Sequence, residues 1–370
     1  MKITVLDAGA RPQRPAKGAM SLRVSAIATG SSQLLESVGA WSRLDLARAA
    51  AYDAMRVWDE SSSADSGDAL RFEAAEFAAV QLGFIVENQA LQAALLDVLQ
   101  AEDVDLIFAA PVVELQANAD GQRILLEDGR RIEADLVIGA DGAGSKVRDC
   151  AGIDAASWPY QQQAFVTHLE AEISHNNTAW QRFLNTGPLG MLPLPDGRIS
   201  VVWSTTEEQA QWALSASDAE LGEALSGASD YVLGNLTVAG PRGAFDLQAR
   251  HARDYVKAGV ALVGDAAHAI HPLAGQGANL GLQDAARLAD VVITALQNGE
   301  NPGDRPVLRR YERARKGANA AMLHFMTGLN RLFATDSALL KELLSTGMRL
   351  FNHSGPIREH VVSVALGTRR

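Results

Sequence analysis

The 370-residue chain contains a single cysteine, Cys150, which excludes an internal disulfide and fits a reducing compartment. Cys150 follows Arg148-Asp149 just after an Asp-Gly turn, and it reads as a structural residue rather than a nucleophile. Positive charge is also in short supply. With 33 Lys and Arg against 44 Asp and Glu, the net charge of -11 speaks against nonspecific nucleic-acid binding and gives no electrostatic pull toward anionic lipid. No apolar run approaches the roughly 18 residues of a membrane helix, and the few apolar residues before Asp7 are too short for a signal peptide. Internal repeats are lacking as well. Hydrophobic content of 47% and charged content of 21% describe an ordinary globular protein, long enough for two interleaved domains.

The most informative stretch runs from Gly259 to Asp284. A short apolar strand, Val260 to Val263, stops at Gly264-Asp265; a turn rich in Pro and Gly follows, and a helix is predicted to open near Asn279. Such an arrangement suits a phosphorylated cofactor with polar edges. Asp265 at the strand's end can accept hydrogen bonds from sugar-alcohol hydroxyls, and Gly275 and Gly277 let backbone N–H groups approach a planar ring. The helix then turns its positive end toward negative charge. A second strand, turn and helix start spans Ala134 to Arg148 around Asp141-Gly142.

The block Gly264-Asp265-Ala266-Ala267-His268, continued by His271-Pro272-Leu273-Ala274-Gly275-Gln276-Gly277-Ala278-Asn279-Leu280-Gly281, resembles the second flavin motif of the FAD-dependent aromatic hydroxylases, in the version found in the ubiquinone-biosynthesis hydroxylases. The other landmarks follow in that family's order: Arg23-Val24-Ser25-Ala26-Ile27, whose Arg touches the cofactor in relatives, and Ile85 to Leu91, the start of a cofactor-facing helix with Asn88 as its expected N-cap and Gln89 beside it. Ala134 to Arg148 is similar to the Asp-Gly motif near the flavin pyrophosphate, and Trp180-Gln181-Arg182-Phe183, Gly187-Pro188 and Leu192-Pro193-Leu194 are similar to the substrate-domain sheet. The resemblance implies an α/β fold: a Rossmann-like FAD-binding domain of the p-hydroxybenzoate hydroxylase type, an inserted β-rich substrate domain and a C-terminal helical region. It assigns to the cofactor Asp7, Arg23, Asn88, Gln89, Asp141, Gly142, Gly264, Asp265, Pro272, Gly275, Gln276, Gly277, Ala278 and Asn279.

Relatives open with a strand and a Gly-x-Gly-x-x-Gly turn that seats the pyrophosphate. No such pattern occurs in residues 1 to 100, and Lys2 to Asp7 reads as the second strand, ending in the ribose carboxylate, with Asp in place of the usual Glu. In a sheet of order 3-2-1-4 the first strand is central. Its loss would leave buried backbone groups costing about 1–3 kcal/mol each, against a stability of roughly 5–15 kcal/mol. The expectation is that Met1 is not the true start, or that the gene is a truncated copy.

On this reading the FAD-binding domain comprises residues 1–45, 82–150 and 241–320, the substrate domain 46–81 and 151–240, and C-terminal helices 321–370. A helix ending near Gly39, a loop at Ser61 to Gly67, a helix over Gln89 to Gln100 and hairpin turns at Asp120-Gly121 and Asp128-Gly129 are expected within them. His268 and His271 share the spacing of a metal pair, but they fall in a turn without a carboxylate cluster, so no metal is expected. The stripe Met322, Phe325, Met326, Leu329, Leu332, Phe333 reads as core ahead of a substrate-tail contact or a membrane surface, and the basic run Arg309 to Lys316 as a solvated helix face.

The resemblance implies hydroxylation of a polyprenylated phenol or benzoquinol on the ubiquinone pathway: NAD(P)H visits transiently to reduce FAD, the reduced flavin activates O2, and the ring takes one oxygen. Other ubiquinone-biosynthesis proteins are implied as partners, with a cytoplasmic location peripheral to the inner membrane through them. No residue is identified as the catalytic base; His271 is a candidate. Two alternatives stay open: a catalytically silent paralogue that scaffolds a quinone-synthesis assembly, and a hydroxylase of a small aromatic acid gripped by Arg182 or Arg198.

Overall fold

The computed structural model describes residues 1–370 apart from 17, 19, 119, 120, 335–345 and 368–370. Alternation of apolar residues builds one nine-stranded sheet. Its path runs His268–Ala269, Gly243–Ala252, Ala155–Ala171, Ile199–Thr205, Gly187–Pro193, Thr178–Leu184, Ala54–Asp59 and Leu70–Glu73, with Leu236–Val238 beside Ala155–Ala171. Neighbours are antiparallel except Thr178–Leu184 and Ala54–Asp59, which run parallel. The sheet therefore draws on residues beyond 240. One of its faces buries Trp58, Phe165, Leu189, Met191, Val201 and Trp203 against two helices, Glu207–Ser215 and Asp218–Ala228. Neither helix was anticipated inside the strand-rich region.

The parallel part of the molecule is built from shorter pieces. Ile3–Leu6 pairs with Val104–Ile107, and Val137–Gly139 pairs with Val260–Leu262. The two pairs share a core, in which Leu6 and Ile107 pack on a cluster containing Val137 and Leu262, yet among the described residues no hydrogen-bonded ladder joins them. Three further strands, Val112–Ala117, Gln122–Leu126 and Arg131–Ala134, form an antiparallel meander. The turn at Asp128-Gly129 is as expected, with Gly129 at φ 86°, whereas Asp120 lies outside the described residues. Another small sheet orders Val24–Ala28, Gly83–Glu87 and Ala49–Tyr52.

Helices close the structure. Thr29–Ser37 ends just before Gly39, and Asn88–Ala101 is two residues longer than the predicted segment. Asn88 is not its N-cap: Glu87 holds that position, and Asn88 instead accepts a hydrogen bond from Ser25 Oγ at 2.8 Å. Gln276–Gln297 begins three residues ahead of the expected Asn279, because Gly275 takes the left-handed conformation, φ 62°, that lets the turn close early. The C-terminal region is helical at Arg305–Phe333, 346–352 and Pro356–Ala365, and residues 335–345 and 368–370 of it lie outside the described residues.

Candidate functional site

The Gly264–Asn279 turn packs against the strand Val24–Ala28. A Cβ on Gly275 would sit 2.6 Å from the Ala26 Cβ, so only glycine permits the approach. Asn279, 1% exposed, rivets the contact: its Nδ2 donates to Ala26 O at 2.8 Å and to Gly275 O at 3.1 Å, and its Oδ1 accepts from Ala28 N at 2.9 Å. Its side chain is thus committed to the protein, and the Asn279 that the motif assigns to the cofactor acts by fixing the turn. The helix start it fixes has no acidic residue in its first turn and no side-chain cap. Its first backbone N–H groups and positive end are available to an anionic ring edge.

Arg23 lies near enough to Asp265 for its charge to act on the carboxylate. Arg23 lies over the Phe245 ring, 5.4 Å from its centroid. Desolvation raises the Asp265 pKa, and His268 and Arg23 oppose the rise. Gly264 has φ 57°, and a Cβ at Gly142, Gly144 or Gly277 would meet nothing within 4 Å, so open space adjoins both the Asp-Gly turn and the start of the helix Gln276–Gln297. Gln276 is buried, Pro272, Gly275 and Gly277 are half-buried, and Ala278 is exposed.

The Asp-Gly turn is joined to the same site by a residue the sequence reading passed over. Arg148, 5% exposed, donates through Nη1 to Ala143 O at 3.1 Å and to Ala266 O at 3.2 Å, linking the two motifs. The Asp141 carboxylate accepts from Ser145 Oγ at 2.5 Å and from Val147 N at 3.0 Å, so it holds the short helix Lys146–Cys150 in place. Asp7 stands exposed at the end of its strand and accepts from Gly9 N at 2.7 Å. The segment after it is tied to the helix Asn88–Ala101: Ser21 Oγ donates to Gln89 Oε1 at 2.7 Å, and Ser21 N to Glu87 Oε2 at 2.7 Å. Glu87 is 1% exposed and also pairs with Arg48 at 2.7 Å.

Behind the turn lies a buried charged network. Asp284, 0% exposed, accepts from Arg315 Nε at 2.7 Å, from Asn319 Nδ2 at 2.9 Å and from Gly264 N at 3.2 Å, and lies 2.5 Å from His268 Nε2. Burial raises its carboxyl, but the bonds from His268, Arg315 and Asn319 hold it below the ordinary carboxylate value. The basic run is accordingly not one solvated face. Arg315 points inward, Arg310 pairs with Glu300, and Arg305, Arg309 and Arg313 remain outside.

His271 is 1% exposed, and neither ring nitrogen has a hydrogen-bond partner among the described residues. Burial pushes its pKa down to about 4. Tyr160 meets its ring edge-on at 4.8 Å. That tyrosine sits in a bulge of the long strand, where the register slips between Pro159 and Gln163, and its hydroxyl lies 2.9 Å from Thr327 Oγ1. Bulges re-aim side chains in this way. His268 is bound to Asp284 while His271 faces the Tyr160 ring, and no group of three or more metal-ligating side chains occurs among the described residues.

Leu273, within the same turn, belongs to an apolar cluster with Val57, Phe183, Met326, Phe333 and Met348. Phe183 and Phe333 stack at 3.8 Å. Met326 and Phe333 are therefore core, as the helical spacing suggested, with Met322 and Leu329 partly buried against them, while Leu332 is half-buried outside that cluster and Phe325 is 54% exposed. The two arginines considered for a carboxylate grip are engaged elsewhere. Arg182 donates to Gly227 O and Ala228 O at the end of a helix, and Arg198 to Asp196 and Ala239 O.

Comparison with known proteins agrees with this geometry. The FAD binding domain family matches residues 16–326. The chain is 34% identical over 366 residues to 3-demethoxyubiquinol 3-hydroxylase of Escherichia coli (strain K12), covering 99% of this chain and 92% of that protein. It is also 34% identical over 409 residues to mouse ubiquinone biosynthesis monooxygenase COQ6, covering 98% and 85% respectively. Among solved structures, p-nitrophenol 4-monooxygenase PnpA of Pseudomonas putida superposes with a TM-score of 0.77 at 18% identity over 100% of this chain and 93% of its own. PqsL of Pseudomonas aeruginosa gives 0.76 at 21% identity, covering 94% and 92%. Those two show the shared fold. Together with the uncapped helix start, the glycine turns and the near-complete sequence match, they lead to one assignment: the chain belongs to the FAD-binding monooxygenase family of the ubiquinone-biosynthesis hydroxylases.

Proposed function

We propose that the protein hydroxylates the aromatic ring of a polyprenylated phenol or benzoquinol in ubiquinone biosynthesis, with FAD as its cofactor, NAD(P)H as transient electron donor and O2 as oxidant. The observation that carries this reading is the double membership of Leu273, which is part of the glycine turn and of the apolar cluster with Phe183, Met326 and Phe333. A ring placed against the flavin edge there would have its greasy tail in contact with aromatic and methionine side chains.

FAD, when bound, supplies electron transfer from the nicotinamide to O2. The protein's share is to bind, orient and keep dry. The first-turn N–H groups of Gln276–Gln297 would face negative charge on the ring, and Asp265 would take the hydroxyls of the sugar-alcohol chain. Arg23, Asp7, Gln89, Gly142, Gly264, Pro272, Gly277 and Ala278 complete the proposed cofactor contacts, with Asn88, Asp141, Gln276 and Asn279 supporting them. His271 is neutral because it is buried, so it can serve the substrate hydroxyl as a hydrogen-bond partner but is too weak a base to store a proton at neutral pH. The engagement of Arg182 and Arg198 with backbone carbonyls and Asp196 tells against a small aromatic acid as substrate.

Expression in cells lacking each pathway hydroxylase in turn tests the reading. Rescue of one strain, with loss of its accumulated quinone intermediate, is expected. Failure to rescue any of them, by protein shown to carry FAD, would contradict it.

A further inference from the structure

A helix on a protein surface ordinarily presents one apolar face to the core and a polar face to water. Pro356–Ala365 has two apolar faces. Val362, with Leu366 just beyond the helix, is buried against Ala74 and Leu82. On the opposite side, Ile357, Val361 and Val364 follow the i, i+4, i+7 spacing of one stripe and are 65%, 40% and 44% exposed. The preceding helix, 346–352, repeats the pattern. Its Met348 enters the apolar cluster that holds Leu273, while Leu350 is 69% exposed. Ala79 packs beside Val362 and Leu366, and the next residue, Val80, is 89% exposed. Apolar side chains concentrated in this way mark an interaction surface.

We infer that the stripe Ile357, Val361, Val364, with Leu350, docks the protein on the surface of a lipid bilayer. The inference rests on the proposed substrate class, because a polyprenyl-tailed ring resides in a bilayer and must leave it close to the protein. Of the two helices, 346–352, which carries Leu350, places Met348 in the apolar cluster next to the cofactor turn, and Pro356–Ala365 follows it and packs on the neighbouring cluster of Ala74 and Leu82, so a protein resting on this face would have that side of its apolar interior toward the lipid. The attraction is apolar rather than electrostatic. Arg349 pairs with Asp68 and Arg358 with Glu76, and the chain carries a net charge of -11. No helix among the described residues is long and apolar enough to cross a membrane, and the contact proposed is with the bilayer surface.

The test is flotation of the FAD-loaded full chain with phosphatidylcholine vesicles. Wild type is expected to float, equally at low and high salt. The triple variant Ile357→Glu, Val361→Glu, Val364→Glu, whose substituted positions face solvent, is expected to lose about tenfold or more of that binding, and the milder triple change to Ser to lie between. Val361→Trp gives a reading without any charge change: its emission is expected to shift to the blue on adding vesicles. Wild type that does not float, a Glu triple variant that floats equally, or an unshifted Trp would overturn the inference. So would a wild-type dimer that the Glu changes convert to monomer without any vesicle binding, because the stripe would then be a subunit contact. Flotation is read without turnover, so a protein that floats but hydroxylates nothing contradicts the functional reading alone.

Discussion

The two halves of this protein, the nine-stranded sheet and the region of parallel strand pairs, are held together by different means. In the nine-stranded sheet each strand is hydrogen-bonded to its neighbour, and aromatic side chains such as Phe165 and Trp203 fill the space beneath two helices. The parallel strands form two separate pairs, with Ile3 40% and Ile138 48% exposed, and the turns around them are cross-tied by Arg148, Asn279 and the Asp284 network. Both halves bury apolar cores, but the antiparallel half is also held by a continuous ladder, whereas the cofactor half has polar ties across its turns in place of one and gains further stability from a bound cofactor. Ligand binding to the folded state alone raises apparent stability by mass action, by an amount set by the affinity of the intact site.

Core changes should break this comparison most sharply. Phe165→Ala is expected to cost about 3–5 kcal/mol from a fully buried site. Asp284→Ala should cost about 3–5 kcal/mol by leaving Arg315 unpaired. Urea denaturation checks both. Saturating FAD should restore much less of the loss in Asp284→Ala than it adds to Phe165→Ala, since only the former disturbs the cofactor turn. Equal gains in the two variants would remove the distinction between the halves.

Acid should act in the same direction. The folded-state pKa of His271 is depressed from 6.5 to about 4, so its burial supports folding fully above pH 6.5, and this support is lost as pH falls toward 4. The buried His168 and His175 are shifted down as well, by desolvation first. His271→Phe should flatten the stability curve across that window by up to about 3 kcal/mol, measured by urea midpoints at a series of pH values. A curve of unchanged slope would contradict the burial argument.

A smaller effect is expected at Asp265. Replacing it with Ala should weaken FAD by about 10- to 100-fold, the worth of a charge-assisted hydrogen bond, as read by flavin fluorescence, with the urea midpoint of the cofactor-free protein little changed. The smallest concerns Arg198→Ala, whose exposed partner Asp196 makes the pair worth about 0–1 kcal/mol. Its KM for a prenylated quinol should match wild type; a large rise would return the arginine to the substrate site.

Much of the cofactor half was legible because its signals are local. The Gly264–Gly281 block, the strand before it and the Asp141-Gly142 turn carry their meaning in consecutive residues, and Gly264, Gly275 and Gly142 adopt the left-handed φ that glycine allows. The misses have three origins. Arg148 joining Ala143 to Ala266, and Asp284 joining His268 to Arg315, pair residues far apart in the chain, and nothing in local spacing announces such partners. The helices Glu207–Ser215 and Asp218–Ala228 had a local signal that went unused. Thr206-x-x-Gln209 and Ser217-x-x-Glu220 both have the capping-box pattern, and at Ser217 both reciprocal bonds form. Asn88 shows the opposite error: a residue type suited to an N-cap was placed one residue inside the helix, where Ser25 takes its oxygen.

The most direct test of the account is turnover by purified protein reconstituted with FAD, given reduced nicotinamide cofactor, isotopically heavy O2 and a prenylated quinol or phenol. The account predicts a ring-hydroxylated product carrying one heavy oxygen atom. Flavin-loaded protein that oxidises the nicotinamide yet leaves every such ring unchanged, or protein that takes up no flavin at all, would contradict it.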